Sequence, residues 1–148
     1  EPFDVDIDKK FLYGPIAACV ALAQRMGERH KNFGFELDMA HLPLMNEPFT
    51  GAIRRCAPWL KRVHLGNCVL KDKSNPRWGD THPPIGFPGG EIDGPQLVEI
   101  LTALRACGFL DPKNRGDLLV EMTPWPGKSV EETVEDAFRR VEAAWALV

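Results

Sequence analysis

Residues able to do metal or proton chemistry gather at the ends of three short apolar runs. Phe33-Gly-Phe-Glu-Leu-Asp38-Met-Ala-His41 ends in a carboxylate and, three residues on, an imidazole. Arg62-Val-His64-Leu-Gly-Asn67 carries a second imidazole, and Leu118-Leu-Val-Glu121-Met closes on another carboxylate. Side chains set this way leave the C-terminal ends of parallel strands, where parallel α/β proteins build their sites. Asp38 alone would read as a turn residue and His64 alone as a satisfied core histidine. Glu121 is different: after three apolar residues it would be a costly unpaired charge, so a metal or cationic partner is the economical explanation.

The elements that position these residues follow from periodicity. Residues 1–10 are dense in carboxylates and read as the loop after a strand that is not there. Pro15 suits a first helical turn, and Ile16, Cys19, Ala23 and Met26 form one apolar face of a helix expected to end near Gly27. A strand Phe33–Asp38 follows, then a loop punctuated by Pro43, Asn46 and Pro48, and a short helix with Ala52, Ile53 and Cys56 on one face. The second strand, Arg62 to Leu65, leads into a loop of about 25 residues, a length usually reserved for function or disorder. Asp93 and Pro95 open an amphipathic helix stopped by Gly108. After a strand Leu118–Met122, Ser129 and Glu132 form a capping box. The last helix turns Val130, Val134, Phe138, Val141 and Trp145 to one side, with Trp145 expected in the core. Trp78 and Trp125 are candidates to line a pocket, and Glu36 is given no role.

The fold class is therefore α/β, built from parallel (β/α) repeats. Three strands are too few for a covered parallel sheet, and a closed (β/α)8 barrel needs about 250 residues. The 148 residues read as one partial domain, the C-terminal half of a TIM-type barrel entered after its fifth strand, with the N-terminal half-barrel absent. The chain begins with Glu1 rather than Met, which fits a piece of something longer or a processed product. The missing half, or a homo-oligomer, would cover the open sheet edges.

Composition excludes other classes. A formal net charge of -3, with only the weakly basic stretch Lys71 to Arg77, gives no footprint for nucleic acid. No apolar run approaches the roughly 20 residues that span a bilayer, and no signal-peptide pattern opens the chain. Cys19, Cys56, Cys68 and Cys107 form no Cys-x-x-Cys pair and read as buried thiols of a reducing, cytoplasmic protein.

Taken in order, Glu1-Pro-Phe-Asp, Leu37-Asp38-Met-Ala-His41, Val63-His64-Leu-Gly-Asn67, Gly79-Asp80-Thr-His82-Pro and Leu119-Val-Glu121 resemble the xylose isomerase-like TIM barrels of the sugar phosphate isomerase/epimerase group. The resemblance runs the length of the chain and covers the second half of that barrel. It implies one divalent metal held by Glu1, Asp38, His64 and Glu121, with His41 near the substrate. For the Gly-Asp-x-His-Pro loop it implies only proximity, so Asp80 and His82, with Lys9 from the first loop, are candidate substrate contacts. Asp80 and His82 also resemble the Asp-x-His pair that adds metal ligands in the AP-endonuclease branch.

Three carboxylates and one imidazole make a hard site suited to Mn²⁺, Mg²⁺ or Co²⁺, with Zn²⁺ also possible. The expected activity is isomerisation or epimerisation of a sugar or sugar derivative through an enediolate, with Glu1 and Glu121 as catalytic bases on opposite faces. The same proton abstraction begins dehydration of a cyclic polyol. An AP-endonuclease-like phosphodiesterase would need more histidines and a basic face, and an inactive half-barrel fragment is the non-enzymatic alternative.

Overall fold

Strands β1 (Phe35–Asp38), β2 (Leu60–Leu65) and β3 (Asp117–Val120) pair in parallel, in the order β1-β2-β3. This is seen in a computed structural model that describes residues 1–114 and 116–148. Helices α1 (Ile16–Arg29), α2 (His41–Leu44), α3 (Phe49–Cys56), α4 (Gly94–Ala106) and α5 (Val130–Trp145) stand before, between and after the strands. The result is the expected parallel β/α succession, half of a TIM-type barrel.

Register decides what each face carries. Asp38 pairs with His64 and Glu36 with Arg62, while His64 pairs with Leu119 and Arg62 with Asp117. Because side chains alternate along a strand, Glu36, Asp38, Arg62 and His64 share one face. Phe35, Leu37, Val63 and Leu65 share the other, buried in one core with Ile16 and Cys19 of α1, Ile53 of α3 and Ile100 and Leu101 of α4. Glu36, to which the sequence reading gave no role, is thus on the same face as Asp38, two residues along the same strand.

Helix boundaries follow local chemistry. Asp93 and Gln96 form a capping box that starts α4, and Gly108, at φ 78°, follows its end. At α5 the Ser129 hydroxyl accepts the Glu132 amide at 3.1 Å, and the Glu132 carboxylate accepts the Ser129 amide at 2.8 Å. Four element bounds differ from expectation: α1 runs to Arg29, β1 begins at Phe35, β2 begins at Leu60 because Leu60 pairs with Phe35, and β3 spans Asp117–Val120. The single turn α2, placed where the sequence suggested loop, is one more difference in kind. Its third residue is Pro43, which a first turn tolerates.

The last helix is the main correction. Most of its large apolar side chains stay out of the core: Phe138 is 55% and Trp145 50% exposed, and Val130 is also exposed, while Val141 packs at the core's edge. The buried positions are the small Thr133, Ala137 and Ala144. Small side chains on that face allow α5 to seat closely on its neighbours, which rotates the bulky stripe outward. Val134, Phe138 and Val141 instead line, with Leu118 and Val120 of β3, an apolar trough of about 390 Å³ beside the last strand of the sheet. Among the described residues no helix is long and apolar enough to cross a membrane. All four cysteines are free; Cys19, Cys56 and Cys68 are buried and Cys107 half-buried.

Candidate functional site

Asp38, at the end of β1, has no exposed surface. Its Oδ1 accepts the Ala40 amide at 2.6 Å, whereas Oδ2 has no hydrogen-bond partner. Gly66, just past β2, makes room for this carboxylate, since a Cβ there would lie 2.7 Å from Asp38 Oδ1. His64 Nδ1 is 2.5 Å from Glu121 Oε2, 3.3 Å from Glu36 Oε1 and 3.7 Å from Asp38 Oδ2. None of these is aligned as a hydrogen bond, so the buried nitrogen is also unpartnered. Glu1 approaches from the first loop, and donor atoms of Glu1, Asp38 and His64 lie within 4.8 Å of one another. Donor atoms of three of the four expected ligands thus lie together, and Glu121 stands beside His64.

The four remaining candidates stand beside it. Asp80 Oδ2 is 3.2 Å from His41 Nε2 and 3.6 Å from Lys9 Nζ, and Oδ1 is 2.6 Å from His82 Nε2. His41 Nδ1 lies 2.9 Å from the Pro2 carbonyl, which can only accept, so that nitrogen carries a proton. Glu1, Lys9, His41, Asp80, His82 and Glu121 border a cavity of about 350 Å³, closed by Phe3 and Thr123. Neither Trp78 nor Trp125 lines it: Trp78 donates from its indole nitrogen to the Leu70 carbonyl, and Trp125 packs on Phe87.

Loop chemistry fixes these groups in place. Asp4, 2% exposed, gathers the amides of Ile7, Asp8 and Lys9 at 2.6, 2.8 and 2.9 Å, folding the first loop into a turn. Asp8 Oδ2 then accepts the Asp80 amide at 2.6 Å. Gly79, at φ 89°, makes that approach feasible, because a Cβ would meet Asp8 Oδ2 at 2.4 Å. At the base of the long loop, the fully buried Asn67 donates to the Pro84 carbonyl and accepts the Cys68 and Ile92 amides, all at 2.9 Å. Sequence reasoning missed Asn67 and Glu36; strand alternation would have found Glu36, but nothing local announces Asn67.

The electrostatics describe a crowded acidic pocket. Burial pushes Asp38 up to about 6, against the opposing pull of His41 and His82. Burial likewise raises Glu1, assisted by Glu36 and Glu121 and resisted by His41. Burial alone would lower His41, but Asp80, Asp38 and Glu1 outweigh it and lift the ring to about 9. Burial would raise Asp80, yet its contacts with His41 and His82 hold it well below the usual carboxylate range. A divalent cation inverts this repulsion by attracting every carboxylate at once. The unpartnered Asp38 Oδ2 and His64 Nδ1, together with the oxygen-rich donors, fit such an ion held by Glu1, Asp38 and His64 with Glu121 beside His64; Asp38, His41 and His82 form a second group of donor atoms within 4.8 Å of one another.

The chain's fold is shared with a sugar-epimerase barrel. A crystal structure of D-psicose 3-epimerase with D-tagatose from Clostridium cellulolyticum H10 superposes with a TM-score of 0.56 at 19% identity. The match takes in 99% of this chain and 46% of that one, so the chain spans about half the length of the epimerase. No protein-family profile and no curated protein sequence matches.

Proposed function

We propose that these residues form the metal-holding half of a divalent-metal-dependent isomerase or epimerase acting on a sugar or sugar derivative. The observation that carries this is the convergence of Asp38, His64 and Glu121 from three successive strand ends, with Glu1, around buried atoms that have no protein partner. A bound divalent ion supplies Lewis acidity toward vicinal oxygens of the sugar. Glu1 and Glu121 both border the cavity and are assigned as the bases that remove and return a proton on the two faces of one carbon. His41 holds its proton against Pro2 and, with Lys9 and Asp80, orients hydroxyl groups. The remaining barrel wall comes from an N-terminal half-barrel or from a second copy of the chain, and the site works in the intact barrel.

The test is solvent-deuterium exchange. D-psicose and D-tagatose are incubated in D₂O with the full natural chain that carries these residues, with and without Mn²⁺, and read by NMR. The expected result is metal-dependent deuterium at one carbon beside the carbonyl, reduced about 10²- to 10⁴-fold by Glu121→Gln. A product lighter by one water would move the assignment to a dehydratase. No exchange at any ketose carbon, with metal bound, would overturn the proposal.

A further inference from the structure

Resting on the sugar chemistry proposed above, we propose that Arg77, at the edge of the cavity, selects an acidic sugar by pairing with a carboxylate at the far end of its chain. The weakly basic stretch Lys71 to Arg77 holds three cations, and two have partners. Lys71 Nζ is 3.0 Å from Glu91 Oε2, and Lys73 Nζ stands 5.9 Å from the centre of the Trp78 ring. Arg77 differs: among the described residues it forms no ion pair, and its guanidinium makes one hydrogen bond, from Nη1 to the Thr123 hydroxyl at 3.0 Å. Of the described arginines only Arg77 and Arg140 are half-buried, and Arg140 is matched by Asp93 and Asp136 at 2.8 and 2.9 Å. Withdrawing a cation from water costs free energy that an anionic partner returns, and for Arg77 the described residues supply none.

Two anchors set Arg77 against the cavity. Its backbone amide donates to Asn75 Oδ1 at 2.9 Å, and its carbonyl accepts the Thr81 hydroxyl at 2.8 Å. Thr81 and Thr123 both border the cavity, together with Glu121 and Lys9. The Thr123 hydroxyl passes its own proton to the His82 carbonyl at 3.0 Å, and the Thr123 amide donates to the same oxygen at 2.7 Å. The hydroxyl that receives Nη1 is thus fixed, and the guanidinium is fixed with it. A guanidinium carries five N–H groups, so most of its donors remain for a ligand.

Reach and charge choose that ligand. Thr123 follows Glu121 by two residues, at most about 7 Å along an extended chain. A sugar whose reacting carbon faces Glu121 therefore extends its far end toward Arg77. A guanidinium meets a carboxylate through two parallel N–H bonds, so one arginine suffices. A phosphate dianion doubles the repulsion from Glu1, Asp80 and Glu121, which border the same cavity. Neither threonine hydroxyl has a proton left for it, since each already donates to a carbonyl. The substrate class is accordingly a keto sugar acid.

The experiment is calorimetric titration of the full natural chain, loaded with Mn²⁺, with one ketose in three forms: D-tagatose, D-tagaturonate and D-tagatose 6-phosphate. Thermal melts confirm the fold of each variant. D-tagaturonate should bind about 10- to 100-fold tighter than D-tagatose, the worth of a charge-assisted hydrogen-bonded pair. Arg77→Gln should bring the two affinities within about twofold of each other, and Arg77→Lys, a cation without the fork, should keep part of the ratio. If Arg77→Gln does not fold, the reduced ratio in Arg77→Lys decides. Equal binding of acid and neutral sugar by the unaltered chain overturns the inference while leaving the proposed function standing. An Arg77→Gln that weakens both alike overturns it too, because the arginine is then structural. Tightest binding by D-tagatose 6-phosphate, lost in Arg77→Gln, overturns the carboxylate in favour of phosphate. A Mn²⁺-loaded chain that binds none of the three, or a chain that binds no Mn²⁺, removes the proposed function and the role of Arg77 together.

Discussion

Asn67→Ala should loosen the loop that delivers Asp80 and His82 without touching either. The side chain is completely buried and satisfies three backbone groups: the Pro84 carbonyl and the Cys68 and Ile92 amides. Truncation strands all three away from water, and each stranded group costs about 1–3 kcal/mol. Taking the low end for each, because they share one cavity and are not independent, gives a loss of about 3 kcal/mol. With a urea m-value of about 1.5 kcal/mol/M, the unfolding midpoint falls by about 2 M. Asn32→Ala, at an exposed position, serves as the control and should stay within about 0.5 kcal/mol. Amide hydrogen exchange locates the damage, with Ile92 and Cys68 losing protection first. If the midpoint moves no more than in the control and Ile92 stays protected, then Asn67 does not anchor the loop.

Gly66→Ala places a Cβ 2.7 Å from Asp38 Oδ1 and 3.0 Å from Ala40 Cβ, so the carboxylate must move. Co²⁺ affinity should fall at least about tenfold, and unchanged affinity would mean that Asp38 is not a ligand. Thiol reactivity should divide the cysteines: burial pushes Cys19 up to about 11 and Cys56 up to about 12, and raises Cys68 as well. At pH 8 a disulfide reagent should therefore label one thiol, Cys107, in the folded chain and four in denaturant; two fast-reacting thiols would contradict the packing. Asp4 gives a pH dependence. Burial acts to raise it, but the amides of Asp8, Lys9, Ile7 and Lys10 prevail and hold it below its ordinary value. Its stabilisation is therefore full above the ordinary carboxylate value and is lost as pH falls below about 4. Between pH 6 and 3 the melting temperature should fall more steeply in the unaltered chain than in Asp4→Asn, and parallel curves would refute the assignment.

Much of this architecture was legible in the sequence because it rests on local chemistry. Ser129 and Glu132 mark the start of α5, Asp93 that of α4 and Gly108 its end, and the three strand-end motifs lie on adjacent parallel strands. The sequence readings fell short where the deciding partner is distant. Periodicity grouped Val134, Phe138 and Trp145 correctly on one side of α5, yet it cannot say what lies opposite them. The small residues Thr133, Ala137 and Ala144 took the buried positions instead. Glu36 was passed over although its two-residue offset from Asp38 sets both on one face. Asn67 stands in a motif that was noticed for His64, but its hydrogen-bond partners at 84 and 92 are remote in sequence. The left-handed backbone of His82 has only a weak signature, since histidine is enriched in that conformation yet seldom adopts it.

The links that complete the cavity are long-range ones. His41 meets the Pro2 carbonyl across 39 residues, and the Asp80 amide meets Asp8 across 72. Closing such long segments carries an entropic cost that is recovered only once the strands have paired and both ends are held near each other. The pairing of β2 with β3 joins residues as distant as Arg62 and Asp117, so the sheet and the pocket rest on closures of similar length. Glu1, Asp80 and Glu121 therefore share one cavity only in the folded chain, and no isolated segment carries it.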